Sequence, residues 1–187
     1  TECKKAVEKI GIVMMGQTQE ICPADKKMYA LRDVTGTIES IPLICSSIMS
    51  KKIAEGIEGL VLDVKFGNGA FMKNIEDAQT LGRMLIRIGE HFGINTNVVF
   101  SNMNQPLGKT AGLWCEVQEA IESLQGNGPD DTMEITFELG SHLLQQAKVS
   151  NTRDEAISIQ KSMIESGKAF DKFLEMVETQ GGNPETI

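Results

Sequence analysis

The sequence predicts an α/β fold, a parallel sheet with flanking helices, and three observations carry that prediction. Two short apolar runs, Gly59–Lys65 and Asn95–Ser101, stand on either side of a stretch with helical periodicity. Glycine turns separate these segments, and a second half patterned for helix alone follows them. Strand, helix and strand in succession, each short and apolar on one side, is the pattern of a parallel crossover.

Taken in order, Gly11-Ile-Val-Met-Met-Gly16 reads as an early strand, followed by a helical pair at about 24–33 and 38–56. The run Gly59-Leu-Val-Leu-Asp-Val-Lys65 is a buried strand closed by the turn Phe66-Gly-Asn-Gly69. Ala78, Leu81, Leu85, Ile88 and Phe92 recur every three or four residues and predict an amphipathic helix over 75–92, ended by Gly93. Asn95–Ser101 is the second buried strand. From about 110 the pattern is helical, with Leu113, Val117, Ile121 and Leu124 on one face and a Gly126-Asn-Gly-Pro129 break after them. Further helices are predicted over 133–147, 153–165 (opened by a capping box of Thr152 and Glu155) and 168–179, which stops at Gly181-Gly182. The chain starts at Thr1 without an initiator methionine, so it is expected to be a piece of something longer.

Composition narrows function. With 26 acidic against 18 basic residues, a formal charge of −8, and only seven Phe, one Tyr and one Trp, the chain has neither the basic stripe nor the stacking faces of a nucleic-acid binder. No apolar run approaches the roughly 20 residues that span a bilayer, so no membrane partner is expected. Cys3, Cys22, Cys45 and Cys115 are scattered without a CxxC pair, and they read as reduced thiols of a cytoplasmic protein.

Three stretches could carry chemistry. On the second helix of the pair, Ser47 and Lys51 are four residues apart and project side by side, at the border of an apolar stripe of Ile41, Ile44 and Ile48. With Arg32 across the intervening turn they make two cationic donors and a hydroxyl, a set suited to the edge of a planar ligand bearing carbonyl oxygens and an imide. A solvated helix flank would look the same. Asp63-Val-Lys65 delivers an acid and a base to a strand end ahead of a glycine loop, where open sheets place ligands, though a tight strand-to-helix turn accounts for it equally well. Asn102-Met-Asn-Gln-Pro-Leu107-Gly-Lys-Thr110 is amide-rich, with Glu119 further along, and it is suited to polar groups or to a monovalent cation on exposed carbonyls. His91 and His142 lie in helical segments away from any paired carboxylate or nucleophile.

The segments Tyr29-Ala-Leu-Arg-Asp-Val-Thr35, Ser40-Ile-Pro-Leu-Ile44, Ser50-Lys-Lys52, Asp63-Val-Lys-Phe-Gly-Asn-Gly-Ala-Phe-Met72, Met103-Asn-Gln-Pro-Leu-Gly108 and Glu116-Val-Gln-Glu-Ala120 occur in this order. Together with Gly16-Gln-Thr18 and Pro23-Ala-Asp-Lys26, they closely resemble the pyrimidine-nucleoside phosphorylase and thymidine phosphorylase family. The resemblance implies the α/β fold of nucleoside phosphorylase and phosphoribosyltransferase catalytic domains. Residues 1–23 and 55–187 would belong to the α/β lobe and 24–54 to a smaller α lobe. It implies reversible phosphorolysis, in which inorganic phosphate is the co-substrate and a pyrimidine nucleoside such as thymidine or uridine gives free base and a pentose 1-phosphate. The matching base-gripping residues are Arg32, Ser47 and Lys51, with Tyr29 packed near the base. No cofactor is required. A structural cation, monovalent or calcium, is implied at Leu107, Thr110 and Glu119, and the full-length family enzyme is a homodimer.

What the 187 residues lack shapes the expectation as much. The family's Lys-His-Ser-Thr-Gly-Gly phosphate loop occurs nowhere in them, and neither histidine lies in a matching motif. The chain therefore reads as a central fragment, without the amino-terminal helical and phosphate-loop region or the carboxy-terminal subdomain, and inactive or nearly so alone. The alternatives are an anthranilate-type phosphoribosyltransferase, whose diphosphate and magnesium motif is not found, and a non-catalytic pyrimidine-binding domain.

Overall fold

Val, Leu and Phe in quick alternation favour extended backbone, and in the computed structural model, which describes residues 2–16 and 21–187, they build β1 (Gly59–Phe66) and β2 (Asn95–Asn102). The two strands pair in parallel, Gly59 opposite Asn95 through Phe66 opposite Asn102. A parallel pair needs a crossover, and α4 (Ile75–His91) supplies it. Asn74 caps α4 by accepting the Asp77 N–H at 2.8 Å, with Glu76 and Asp77 in the first turn to oppose the helix dipole.

The remaining elements are α1 (Glu2–Ile10), α2 (Pro23–Thr35), α3 (Ile41–Glu55), α5 (Leu113–Leu124), α6 (Asp130–Gln146), α7 (Arg153–Glu165), α8 (Lys168–Thr179) and a closing 3₁₀ turn, Pro184–Thr186. The chain divides into two compact units: Thr18–Leu107 with Glu134–Ile157, and Thr1–Gln17 with Gly108–Met133 and Ser158–Ile187.

In the first of these units α3 and α4 pack with the sheet. Its core joins Cys45 and Met49 of α3, Leu60 and Val64 of β1, Met72 of the loop after β1, Ala78, Leu81 and Leu85 of α4, and Ile94. Met49, Leu85 and Cys45 are at most 1% exposed, each apolar chain of this size contributing about 1.5–3 kcal/mol by leaving water. The predicted face of α4 is the one buried at Ala78, Leu81 and Leu85, whereas Phe92 falls beyond the helix end and is 54% exposed. Helix and strand approach closely through glycine: a Cβ at Gly89 would lie 2.1 Å from Thr96 Oγ1, and one at Gly82 would lie 2.9 Å from the Phe100 ring. In the second unit α8 packs against α1 and α5.

Two differences from the sequence reading stand out. Residues 11–16 form irregular backbone and no strand: the N–H and carbonyl of Met14 bond to the Gln180 side-chain amide at 3.0 and 2.6 Å, in place of a ladder neighbour. The segment before them, in contrast, is helical. Cys3, Ala6, Val7 and Ile10 carry helical spacing over α1, and Gly11 ends it with φ 79°. The Thr152 capping box is half realised. Glu155 N–H donates to Thr152 Oγ1 at 3.2 Å, but the Glu155 carboxylate accepts from Asn151 N–H. Gln17 and Thr18 of the Gly16-Gln-Thr18 motif lie outside the described residues.

Candidate functional site

The geometry of the α2–α3 hairpin follows from its breakers. Pro23 opens α2, Gly36 with φ 65° stops it by returning its N–H to the Arg32 carbonyl, and Pro42 sits in the first turn of α3. The two helices then run antiparallel, with side-chain ties at both ends. At one end Cys22, in the left-handed region at φ 50°, donates its thiol to the Ser50 carbonyl at 3.2 Å, and Asp25 meets Lys51. At the other, Arg32 of the last turn of α2 reaches the Leu43 carbonyl of α3 at 3.5 Å.

Ser47 and Lys51 meet as their spacing predicted: Lys51 Nζ donates to Ser47 Oγ at 2.9 Å. Nζ also donates to Asp25 Oδ2 at 2.7 Å. Asp25 and Ser47 are 5% and 7% exposed, and the Lys51 side chain keeps 25% of its surface in water. An ammonium has three N–H groups, so one is left for a further acceptor. Arg32 is 5% exposed and is bound up more than the sequence suggested. Its guanidinium donates to the carbonyls of Thr37 (3.4 Å), Ile38 and Leu43, leaving two of its five N–H groups, and it lies 5.1 Å from the centroid of the half-exposed Tyr29 ring. Leu43, Ser47 and Lys51 are consecutive members of one i, i+4 row along α3, which spans about 12 Å at the helical rise. Arg32 and Lys51 therefore mark the two ends of that row with Ser47 between them. Asp25 is the member that sequence reasoning missed. Its signal was a carboxylate in the first turn of α2, where an antiparallel partner brings the end of α3.

At the carboxyl ends of the strands, Asp63 and Lys65 share one face of β1, and the register puts Ser101 opposite Lys65. Lys65 Nζ donates to Asp63 Oδ2 at 2.6 Å and to Ser101 Oγ at 3.0 Å, while the Ser101 hydroxyl donates to Asp63 Oδ1. The sequence reading had Ser101 only as the end of a strand, without a part in this cluster. The glycine loop beyond β1 is there for close approach. A Cβ at Gly67, whose φ is 120°, would lie 2.6 Å from Asn104 Oδ1, which already accepts the Asn68 N–H at 2.9 Å, and Gly69 N–H donates to the Met103 carbonyl.

In the other unit Glu119 is 9% exposed and turns back to the start of its own segment. Its Oε2 accepts the N–H groups of Lys109 (2.8 Å) and Thr110 (3.0 Å). Its Oε1 faces Gly108, where a Cβ would sit 2.0 Å away. Gly108 N–H donates to Asp131, and that bond, followed by the amides at the start of α6, holds the Asp131 carboxyl below its ordinary range. Leu107, the residue before, is 39% exposed and ends the first segment of the α/β unit. Glu119 is thus a largely buried carboxylate satisfied on one oxygen by two backbone N–H groups, beside a glycine whose φ of 75° and close contact leave no room for a side chain. Among the described residues no three His, Cys, Asp or Glu side chains converge as a metal cluster, and no helix is long and apolar enough to cross a membrane. His142 sits 3.5 Å from Glu138, which also takes Arg153, on the surface of α6.

Comparison with known proteins gives a family match over most of the chain. The family model for the glycosyl transferase family, a/b domain, matches residues 1–170. The chain is 49% identical over 183 residues to the pyrimidine-nucleoside phosphorylase of Staphylococcus haemolyticus (strain JCSC1435), which covers 98% of this chain and 42% of that protein. The same identity and coverage hold for the pyrimidine-nucleoside phosphorylases of Staphylococcus aureus strains bovine RF122 / ET3-1 and USA300. The chain thus spans less than half the length of the curated relatives it matches.

Proposed function

From the premise that this chain belongs to the glycosyl transferase family, a/b domain, we propose that it supplies the base-binding half of a pyrimidine-nucleoside phosphorylase. The observation that carries this reading is the Lys51–Ser47 hydrogen bond on α3, with one ammonium N–H left over and Arg32 at the other end of the same helical row. The names of the relatives give the substrate class.

In the reaction an oxygen of hydrogen phosphate forms a bond to the anomeric carbon, and the bond from that carbon to the base nitrogen breaks with its electron pair going to the base. The phosphate proton ends on the base, directly or through water. Free pyrimidine and pentose 1-phosphate result. Negative charge gathers on the ring carbonyls and imide as the bond breaks. Donors already fixed in a half-buried site stabilise it without reorganising, and each such donor is worth about a hundredfold or more in rate. Arg32, Ser47 and Lys51 are those donors in this proposal, and Tyr29 is the apolar wall. The 187 residues contain no Lys-His-Ser-Thr-Gly-Gly loop for phosphate. Orienting both reactants together is worth about 7–11 kcal/mol, so turnover belongs to the longer protein. The assignment of 24–54 to a small α lobe, the homodimer and a cytoplasmic location belong to the same proposal. So does a structural cation held by the Leu107 and Thr110 carbonyls with Glu119, which would brace the turn and take no part in bond breaking.

Ultraviolet-monitored phosphorolysis of thymidine and uridine tests the proposal, with this chain and the full-length gene product side by side in phosphate buffer. Activity is expected in the full-length protein alone. Activity in the 187 residues would overturn the division of labour, and silence in both would favour a transferase or a pyrimidine-binding module.

A further inference from the structure

We propose that Asp25 is a positioning residue of this site: it fixes the Lys51 ammonium, and through it the Ser47 hydroxyl, where charge collects on the departing base. The inference deepens the function proposed above and rests on it.

A lysine chain carries four rotatable bonds and about 2 kcal/mol of rotamer entropy, and a contact to a serine on its own helix leaves much of that freedom. The second anchor comes from another helix. Asp25 stands in the first turn of α2, where the helix N-terminus favours a carboxylate, and it is 5% exposed. The left-handed Cys22 and its thiol bond to Ser50 hold that turn against the end of α3, so the carboxylate has little freedom of its own. With Asp25 at 2.7 Å and Ser47 at 2.9 Å, the direction of the third N–H is set by geometry.

A purely structural salt bridge explains this less well. A buried ion pair is poor value for stability, since apolar side chains of similar volume serve as well or better. The hairpin is also already tied at its other end by Arg32, which donates to two carbonyls of the connecting turn and to one of α3. An ion pair that keeps one donor uncommitted is worth its desolvation where that donor has work to do.

The test uses the full-length protein and a series of 2′-deoxyuridines substituted at C5 with methyl, hydrogen, bromine, fluorine or nitro, whose bases leave with increasing ease. Asp25→Asn keeps the shape and removes the charge. It is expected to lower kcat roughly 10- to 100-fold on thymidine while KM moves less than about threefold, because an oriented donor acts mainly in the transition state. The loss should shrink steadily towards the nitro compound, which needs little help to leave. Lys51→Met should cost far less in the Asp25→Asn background than in the wild type. A loss equal across the series, a loss additive with Lys51→Met, or a gain in kcat would each overturn the positioning role. If Asp25→Asn does not fold, Asp25→Glu, which keeps the charge and shifts the ammonium, should show the same dependence on leaving group at smaller amplitude, and a flat profile would count against the role. Wild-type protein inactive on every compound would remove the proposed function, and this inference with it.

Discussion

Gly89→Ala sets two opposing effects against each other, and the structure decides between them. In an exposed helix interior the change gains about 1 kcal/mol of helix propensity. At position 89 the new methyl would lie 2.1 Å from Thr96 Oγ1 and 2.9 Å from Thr96 Cβ, where carbon atoms rest at about 3.5–4.0 Å. Thr96 is β-branched and stiff, and its hydroxyl donates to the Ile94 carbonyl at 3.1 Å. Turning Oγ1 away breaks that bond, about 0.5–1.5 kcal/mol, and still leaves Cβ at 2.9 Å, so α4 must also move off β2, with overpacking worth about 1–3 kcal/mol. The net loss should be about 1–3 kcal/mol. In urea unfolding of the 187-residue chain, followed by far-ultraviolet circular dichroism, the midpoint should fall by about 0.5–1.5 M with the slope unchanged. Adding Thr96→Ala should recover part of the loss, since it removes the closest atom. A midpoint equal to or above that of the wild type would refute the close packing of α4 on β2.

Four further outcomes are expected. Leu85→Ala, at a site with no exposed surface, should destabilise the chain by about 2–5 kcal/mol in the same assay. Burial pushes the Cys45 thiol up to about 11 from its ordinary 9.0, so iodoacetamide at pH 8 followed by peptide mass mapping should label exposed Cys115 and spare Cys45. The stability linked to neutral Cys45 is full below pH 9 and is lost as pH rises from 9 towards about 11, and Cys45→Ala should flatten that alkaline slope. Asp131 has the opposite sign. Its carboxyl is held below 3.8, chiefly by the Gly108 N–H, so its contribution is present above that pH and lost as pH falls through the lowered value. Acid unfolding curves of Asp131→Asn and wild type should therefore converge at low pH, and a constant offset would exclude the Gly108 contact as the cause.

What the sequence revealed and what it hid divide along the range of the interactions. The βαβ unit was legible because its signals are local: apolar runs, a 3.6-residue period and glycine stops all act within a few residues. The Ser47–Lys51 pair was legible for the same reason, since one turn of helix brings i and i+4 together. Asp25, 26 residues from Lys51, and Ser101, 36 from Lys65, join their clusters through helix pairing and strand register, which no local pattern encodes. The misread run 11–16 shows the converse. Its composition suits a strand, but extended backbone needs a ladder neighbour, and Gln180, 166 residues away, takes that place with a single side chain. Arg32 was legible as a donor but not as one largely committed to backbone carbonyls of the turn and of α3.

Gln146 of α6 reaches the opening of the sheet, where its Nε2 lies 3.2 Å from the Leu60 carbonyl, 3.1 Å from that of Asn95 and 2.6 Å from Asn97 Oδ1. Its Oε1 fills the space where a side chain at Gly59 would begin, 2.6 Å from the position of a Cβ there, and is buried without a hydrogen-bond partner. The latch thus joins residues 86 apart in sequence, across a sheet whose own strands pair over a much shorter loop. Its consequence is temporal. The shorter loop costs less entropy to close, by roughly 1 kcal/mol or less, so strand pairing is expected to precede docking of α6, with the amide closing over strands already in register. Contacts made after the rate-limiting step govern how fast a protein comes apart and barely affect how fast it assembles. On that order Gln146 would act as a brake on opening, one that a newly made chain sets only after it has grown past α6.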